Sequence, residues 1–224
     1  MFIVFPFVII ASFFGEVRGG NFIYILCHLW ADTWLFMVGI RHKNIYEQKA
    51  DPEKHYIFIC NHISYIDIPV LLKIVRQPMR VLGKYEMEKV PVFGFIYKKA
   101  AVTVNRKDAV HRAQSIKKLL KVLDKNISVF IFPEGTFNQT EKPLKDFYDG
   151  AFRIAIETQT PLKPVVYLDG KARLNYKSIF SLTPGISRAV HLKEIKTTGM
   201  TLDQLAELKQ KAYDQMENAL LRYK

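Results

Sequence analysis

Two short stretches of this chain place reactive side chains at close spacing. The first, Asn61-His62-Ile63-Ser64-Tyr65-Ile66-Asp67, holds an imidazole and, five residues on, a carboxylate. An imidazole can take up or release a proton near neutral pH, and a carboxylate beside it fixes the tautomer and offsets the charge the ring acquires. A turn across the intervening residues brings His62 and Asp67 together as a general base and its orienting partner. The same pattern also arises by chance, and a loop histidine that caps a turn reads identically. The second stretch, Phe132-Pro133-Glu134-Gly135-Thr136, sets a carboxylate and a hydroxyl on a loop stiffened by proline and bent by glycine. An ordinary strand-to-loop turn in which Thr136 caps the next segment fits this stretch too. Cys60, two residues before His62, raises a third chemistry, a Cys–His relay for thioesters. A cysteine that closes an apolar strand is more often buried and inert.

Both stretches follow apolar runs that read as buried strands, residues 55–60 and 127–132. Further strands are expected at 80–83, 101–104, 165–168 and 189–195. Helices are expected at 66–76, 92–99, 108–125, 150–158 and 201–222. The last opens on a Thr201/Gln204 capping box. Continuous apolar strands alternating with helices predict an α/β fold, a mainly parallel sheet covered by helices on both faces. In such a sheet ligands bind beyond the carboxyl ends of the strands, where His62 and Glu134 stand.

The N-terminal part differs in kind. Residues 1–40 carry only Glu16, Arg18 and Asp32 as charged groups, in a chain whose formal net charge is +12. The apolar run from 2 to 14 reaches roughly 20 Å as a helix, short of a bilayer core of about 30 Å. A second stretch, 21–40, is long enough to span but contains His28 and Asp32. With Gly19-Gly20 as the breaker, the pattern predicts a membrane-interacting helical hairpin lying in one leaflet, the alternatives being a true membrane span and a pair of core helices. His28 and Asp32 share a helix face and read as a polar stripe rather than a catalytic pair. The expected division is an anchor over 1–45 and a catalytic domain over 46–224. Two cysteines are too few for a disulfide framework or a cysteine-rich zinc site, and no metal constellation stands out. The basic surplus suits an anionic membrane, with Lys117, Lys121 and Lys125 forming one stripe. Neither a P-loop, nor a G-x-S-x-G elbow, nor a nucleic-acid-binding motif is present, so no nucleic acid is expected as partner.

Taken together, these motifs resemble the glycerolipid acyltransferases, the lysophosphatidate (1-acylglycerol-3-phosphate) acyltransferases in particular. The resemblance runs from about Arg41 to Tyr167. It rests on Asn61-His62 with Asp67, on Lys84, Pro91, Phe93-Gly94 and Val104-Asn105-Arg106, on Phe132 to Thr136, and on Pro164-Val165-Val166, all in order. It implies that His62 is the general base and Asp67 its orienting group. It further implies that Lys84, Arg106, Glu134, Gly135 and Thr136 hold the acceptor. The implied reaction moves an acyl group from acyl-CoA or acyl-carrier protein, as co-substrate and with no cofactor, to the hydroxyl of a lysolipid at the cytoplasmic side of a membrane. With 1-acylglycerol-3-phosphate the product is phosphatidate. The chain departs from the family pattern at Phe137, where a basic residue is usual, at Tyr148-Asp149, and at Ala100, where glycine is common. Lys84, Arg106 and Lys145 remain as cations for a phosphate. The departures keep open another lysolipid acceptor, such as an N-acyl amino-acid lysolipid, and a non-enzymatic lipid-binding role.

Overall fold

The structure, a computed structural model, describes residues 4–105 and 107–223. Among the described residues, eight α-helices and seven strands carry the fold. They run α1 (Phe5–Ala11), α2 (Gly20–Met37), β1 (Ile40–Tyr46), β2 (Ile57–Cys60), α3 (Asp67–Ile74), β3 (Met79–Lys84), α4 (Phe93–Ala100), β4 (Ala101–Val104), α5 (Ala109–Leu123), β5 (Ser128–Ile131), α6 (Gly150–Thr158), β6 (Leu162–Tyr167), α7 (Gly170–Arg173), β7 (Gly185–His191) and α8 (Leu205–Arg222). The strands form one sheet in the order β1-β7-β6-β2-β5-β3-β4. β6, β2, β5, β3 and β4 are mutually parallel, β7 pairs antiparallel with β6, and β1 is parallel to β7. The expected mainly parallel sheet is therefore present, with a reversed pair at one edge.

The central strands are apolar throughout because both faces are covered. Along β2 and the residue before it, Tyr56, Phe58 and Cys60 enter one core with Val8, Ile23, Val70 and Ile96 of α1 to α4. Ile57 and Ile59 enter the other, with Leu119, Phe152 and Met216 of α5, α6 and α8. This is the two-residue alternation of a strand written in wholly hydrophobic letters. Asp108 caps α5 by accepting the Val110 N–H at 2.8 Å and the His111 N–H at 3.0 Å. The Thr201/Gln204 box is closed, with Gln204 Oε1 accepting the Thr201 N–H at 3.1 Å.

The N-terminal elements fold back as a hairpin, but the reversal lies at Gly15 rather than at Gly19-Gly20. Gly15 sits at φ +79, which breaks the helical path, and 3-10 and π turns fill residues 12–19. Gly19 and Gly20 instead permit contact. A Cβ on Gly19 would lie 2.1 Å from the Ala11 carbonyl oxygen, and one on Gly20 2.1 Å from the Arg80 guanidinium. Arg80 is buried and donates to the carbonyls of Met79 and Glu16 and to Asn21 Oδ1, tying the hairpin to β3. His28 and Asp32 form a clasp between helices: Asp32 accepts from Lys73 at 2.7 Å and from Arg76 at 2.9 Å, and Arg76 donates to His28 Nδ1 at 3.1 Å. Taken as one run, Phe5–Met37 has the length and composition of a membrane span, but the break at Gly15 divides it into α1 and α2. Phe22, Ile25, Leu29 and Phe36 form an exposed stripe on α2.

Residues 40–46, which the sequence reading left largely with the anchor, form the edge strand β1. Its alternating burial and its charged Arg41 and Lys43 hide it from an apolar-run search. β7 likewise begins earlier than expected, at Gly185, because its first half faces solvent in part.

Candidate functional site

β2 ends at Cys60 and the chain turns over the sheet rim before α3 begins at Asp67. The turn is drawn closed by one atom. Asp67 Oδ2 accepts the Ile63 N–H at 2.7 Å, the Ser64 N–H at 3.0 Å and the His62 ring at Nδ1, 2.8 Å away. The carboxylate thus nucleates the loop and holds the imidazole in one act. With Asp67 as acceptor, Nδ1 carries the proton and Nε2 carries the lone pair; this tautomer is assigned from the bonding pattern. The His62 side chain is 16% exposed, so the ring is sheltered yet reachable. It stacks on Phe132 at 4.0 Å between centroids and packs T-shaped with Phe137 at 4.4 Å. Phe137 in turn packs edge-on against Tyr65.

Glu134 braces this loop from beneath. Its side chain is fully buried; Oε1 accepts the His62 N–H and Oε2 the Lys145 N–H, each at 2.8 Å. Burial pushes its carboxyl up to about 7, against the two N–H groups that favour the charged form. Both oxygens accept from backbone, so Glu134 braces the site's framework. Gly135 adopts φ +73 as the chain bends away, a conformation glycine accepts at no steric cost. Thr136 is exposed, and its hydroxyl accepts from Lys145 Nζ at 2.9 Å, which brings the Lys145 cation beside it. Lys84 ends β3, exposed on the same rim and two strands from β2, roughly 10 Å away by strand spacing. Arg106 lies outside the described residues. The structure therefore joins His62, Asp67, Glu134, Gly135 and Thr136, and sets Lys84 apart on the same edge.

Three further residues position the site: Asn61, quoted in the first motif without a role of its own, and Asn138 and Gly170, which the sequence does not single out. Asn61 grips the end of β6 through both amide atoms, donating to Tyr167 O at 2.9 Å and accepting the Tyr167 N–H at 2.7 Å. Asn138 donates its backbone N–H to His62 O at 2.7 Å. Gly170 sits close enough that a Cβ there would meet Ile63 and Asp67 Oδ1. The sequence signal for Asn61 was its place directly after a strand; Asn138 and Gly170 carried none. Cys60 is buried and its thiol pushed well above the usual range, mainly by burial. Its Sγ faces Asn61 Oδ1 at 3.6 Å. That is the environment of a structural cysteine, not of a thiolate relay.

Space adjoins the loop at Asn61, Ile63 and Glu134, and a second, separate space lies among the N-terminal helices. A cavity of about 400 Å³ is lined by Asn61, Ile63, Glu134, Lys142, Lys171 and Arg188. A narrow apolar crevice of about 60 Å³ runs between α2, α3 and α4, lined by Tyr24, Trp30, Ile68, Phe93 and Ile96. Among the described residues, no group of three or more His, Cys, Asp or Glu side chains is arranged to hold a metal ion.

Comparison with known proteins matches this description. The family model described as Acyltransferase matches residues 39–168. A 1-acyl-sn-glycerol-3-phosphate acyltransferase of Cocos nucifera is 32% identical over 166 residues, 73% of this chain and 52% of that protein. One of Saccharomyces cerevisiae is 31% identical over 188 residues, 82% of this chain and 61% of that protein. The crystal structure of the 1-acyl-sn-glycerophosphate (LPA) acyltransferase PlsC of Thermotoga maritima shares the fold, with a TM-score of 0.73 at 22% identity. It covers 97% of this chain and 87% of its own. The chain spans about half to two-thirds of the length of these two curated relatives.

Proposed function

The chain belongs to the Acyltransferase family, and on that premise we propose that it moves a fatty acyl group from a thioester, acyl-CoA or acyl-carrier protein, to the hydroxyl of a lysolipid. The preferred acceptor is 1-acylglycerol-3-phosphate, giving phosphatidate. The observation that carries this reading is the contact of His62 Nδ1 with Asp67 Oδ2 at 2.8 Å on the rim of the sheet.

The acceptor O–H meets His62 Nε2, which takes the proton as the oxygen attacks the thioester carbonyl. The new C–O bond forms, the C–S bond breaks, and the imidazolium returns the proton to the departing thiolate. The thioester is already activated, so no covalent enzyme intermediate and no cofactor is needed. General-base help of this kind contributes roughly 10²–10⁴-fold in rate. Asp67 keeps the tautomer and offsets the ring's charge. Glu134 acts as a positioning residue through the His62 backbone. The N–H groups of Ile63 and Ser64 are committed to Asp67, so they do not serve the oxyanion. Lys145, Lys84, Thr136 and Arg106 are the proposed contacts for a phosphate head, and the crevice between α2, α3 and α4 is the proposed seat of an acyl tail. The hairpin is the proposed monotopic anchor, with the active site on the cytoplasmic side and membrane lipids as partner.

A second acceptor class is favoured by one observation. Phe137 lies against His62 where the family pattern has a cation, which makes that wall apolar. The deciding assay gives the purified chain a panel of lysolipids, with acyl-CoA and acyl-carrier-protein donors in parallel, beside His62→Ala. Transfer to lysophosphatidate that His62→Ala abolishes supports the reading. Transfer only to lysolipids lacking a terminal phosphate moves it to the second class. No transfer to any acceptor returns the chain to a lipid-binding role.

A further inference from the structure

Residues 174–184 join α7 to β7 and have no part in the reaction above. Their base is firmly built. Ser64 Oγ, on the catalytic loop, donates to Leu174 O, and Arg173 donates to Pro184 O. The Thr183 N–H reaches Arg173 O at 2.8 Å. Within the loop, Asn175 Oδ1 accepts the Lys177 N–H at 3.0 Å, Ser178 Oγ the Phe180 N–H at 3.2 Å, and Ser181 Oγ the Asn175 N–H at 2.8 Å. These side-chain-to-backbone bonds fix the turn. What the turn presents is apolar: Ile179 is 66% exposed and Phe180 90%. An ordered loop that holds a phenylalanine in water gains nothing from it in folding.

Sheet topology says where the tip lies. β6 runs parallel to β2, so the chain leaves β6 on the same edge that carries His62. β7 starts from that edge, and β1 is parallel to it, which brings the end of α2 there as well. The Gly185 N–H donates to Gly39 O at 3.0 Å, fastening the loop to the end of the anchor. Immediately before Gly39, Phe36 is 84% exposed and Met37 is exposed too. From 170 to 186 the chain carries Lys171, Arg173 and Lys177 and no acidic residue. Exposed apolar tips amid cations suit an anionic bilayer surface.

We propose that the Ile179–Phe180 tip is a second membrane contact, entering the interfacial layer of an anionic bilayer beside the end of α2. The bilayer then lies across the sheet rim, and the acceptor reaches His62 directly from it. This rests on the reading of the hairpin as a membrane anchor, and the test separates the two. The full chain carries an environment-sensitive fluorophore on Phe180→Cys, with Lys211→Cys on exposed α8 as control; Cys27 and Cys60 are buried and do not compete. Vesicles of phosphatidylcholine and phosphatidylglycerol are added, and flotation is followed in parallel. Expected is a blue shift at 180 and none at 211, with vesicle binding weakened about 10-fold or more by Ile179→Ser/Phe180→Ser. A chain that floats while the label at 180 stays aqueous overturns the second contact and leaves the anchor. A chain that does not float overturns both. A shift that grows with protein concentration before vesicles are added makes the tip a self-association surface and equally overturns the proposal.

Discussion

Glu134 holds His62 by its main chain: the carboxylate Oε1 accepts the His62 N–H at 2.8 Å, while the His62 ring is held separately by Asp67. Backbone and side chain of one residue are thus pinned by two different buried acids. Glu134 also carries a pH signature of its own. Its carboxyl titrates near 7 in the folded chain against an ordinary value of 4.5, because burial disfavours the charge. The folded chain therefore holds more proton than the unfolded chain between those values, and stability from this group falls as pH rises through that window. Glu134→Gln cannot titrate. The destabilisation it causes is expected to be larger near pH 5 than near pH 8, by about 2–3 kcal/mol. Urea midpoints of both proteins at the two pH values measure this double difference. Equal cost at both would mean that the carboxyl is ordinary.

Asp67→Asn tests the other acid. The amide keeps the volume and one oxygen but cannot stabilise an imidazolium. A drop in kcat on the order of 10²-fold or more is expected, with the acceptor KM within about 2-fold. Because Asp67 also gathers the Ile63 and Ser64 N–H groups, a spectroscopic check of folding belongs beside it. Retained turnover in a folded Asp67→Asn removes the pair from the mechanism.

Phe137 is the site's departure from its family pattern and is open to a direct test. It packs at a steep angle, 69° between ring planes, against the His62 ring, which stacks on Phe132. Phe137→Ala frees the ring on that side and is expected to lower kcat about 3- to 10-fold, a contact of this type contributing roughly 0.5–1.5 kcal/mol. Steady-state kinetics in which KM rises and kcat holds would instead place Phe137 on the acceptor.

How much of this was readable beforehand depends on how each residue is used. β2 and β5 were legible because both faces are covered, which leaves a continuous apolar run before each motif. His62 and Asp67 were legible because their contact is local, closed by one turn. Glu134 was visible as a residue but not as a strut, since its partner is 72 positions away. Asn138 uses its backbone, which every residue possesses, so its identity announced nothing. β1 was hidden because an edge strand alternates charge with burial, and at a few residues that pattern resembles a loop.

The hairpin shows the same limit, and its glycines give the last prediction. Sequence placed the break at Gly19-Gly20, where two glycines adjoin; the chain reverses at Gly15, and Gly19 serves to admit the Ala11 carbonyl. The two uses predict costs of different origin. Gly15→Ala meets nothing within 4 Å but must hold φ +79 with ψ 176, a region essentially confined to glycine, which costs about 1–3 kcal/mol. Gly19→Ala has an ordinary φ but would set its Cβ 2.1 Å from Ala11 O, so a helix must move, at about 1–3 kcal/mol. Gly150→Ala, with neither constraint, is the neutral reference. Urea midpoints in detergent rank the three, and Gly19→Ala should also loosen the hairpin, read as faster hydrogen exchange over 5–37. A Gly19→Ala protein as stable and as protected as Gly150→Ala would show that α1 does not pack on α2 at this point.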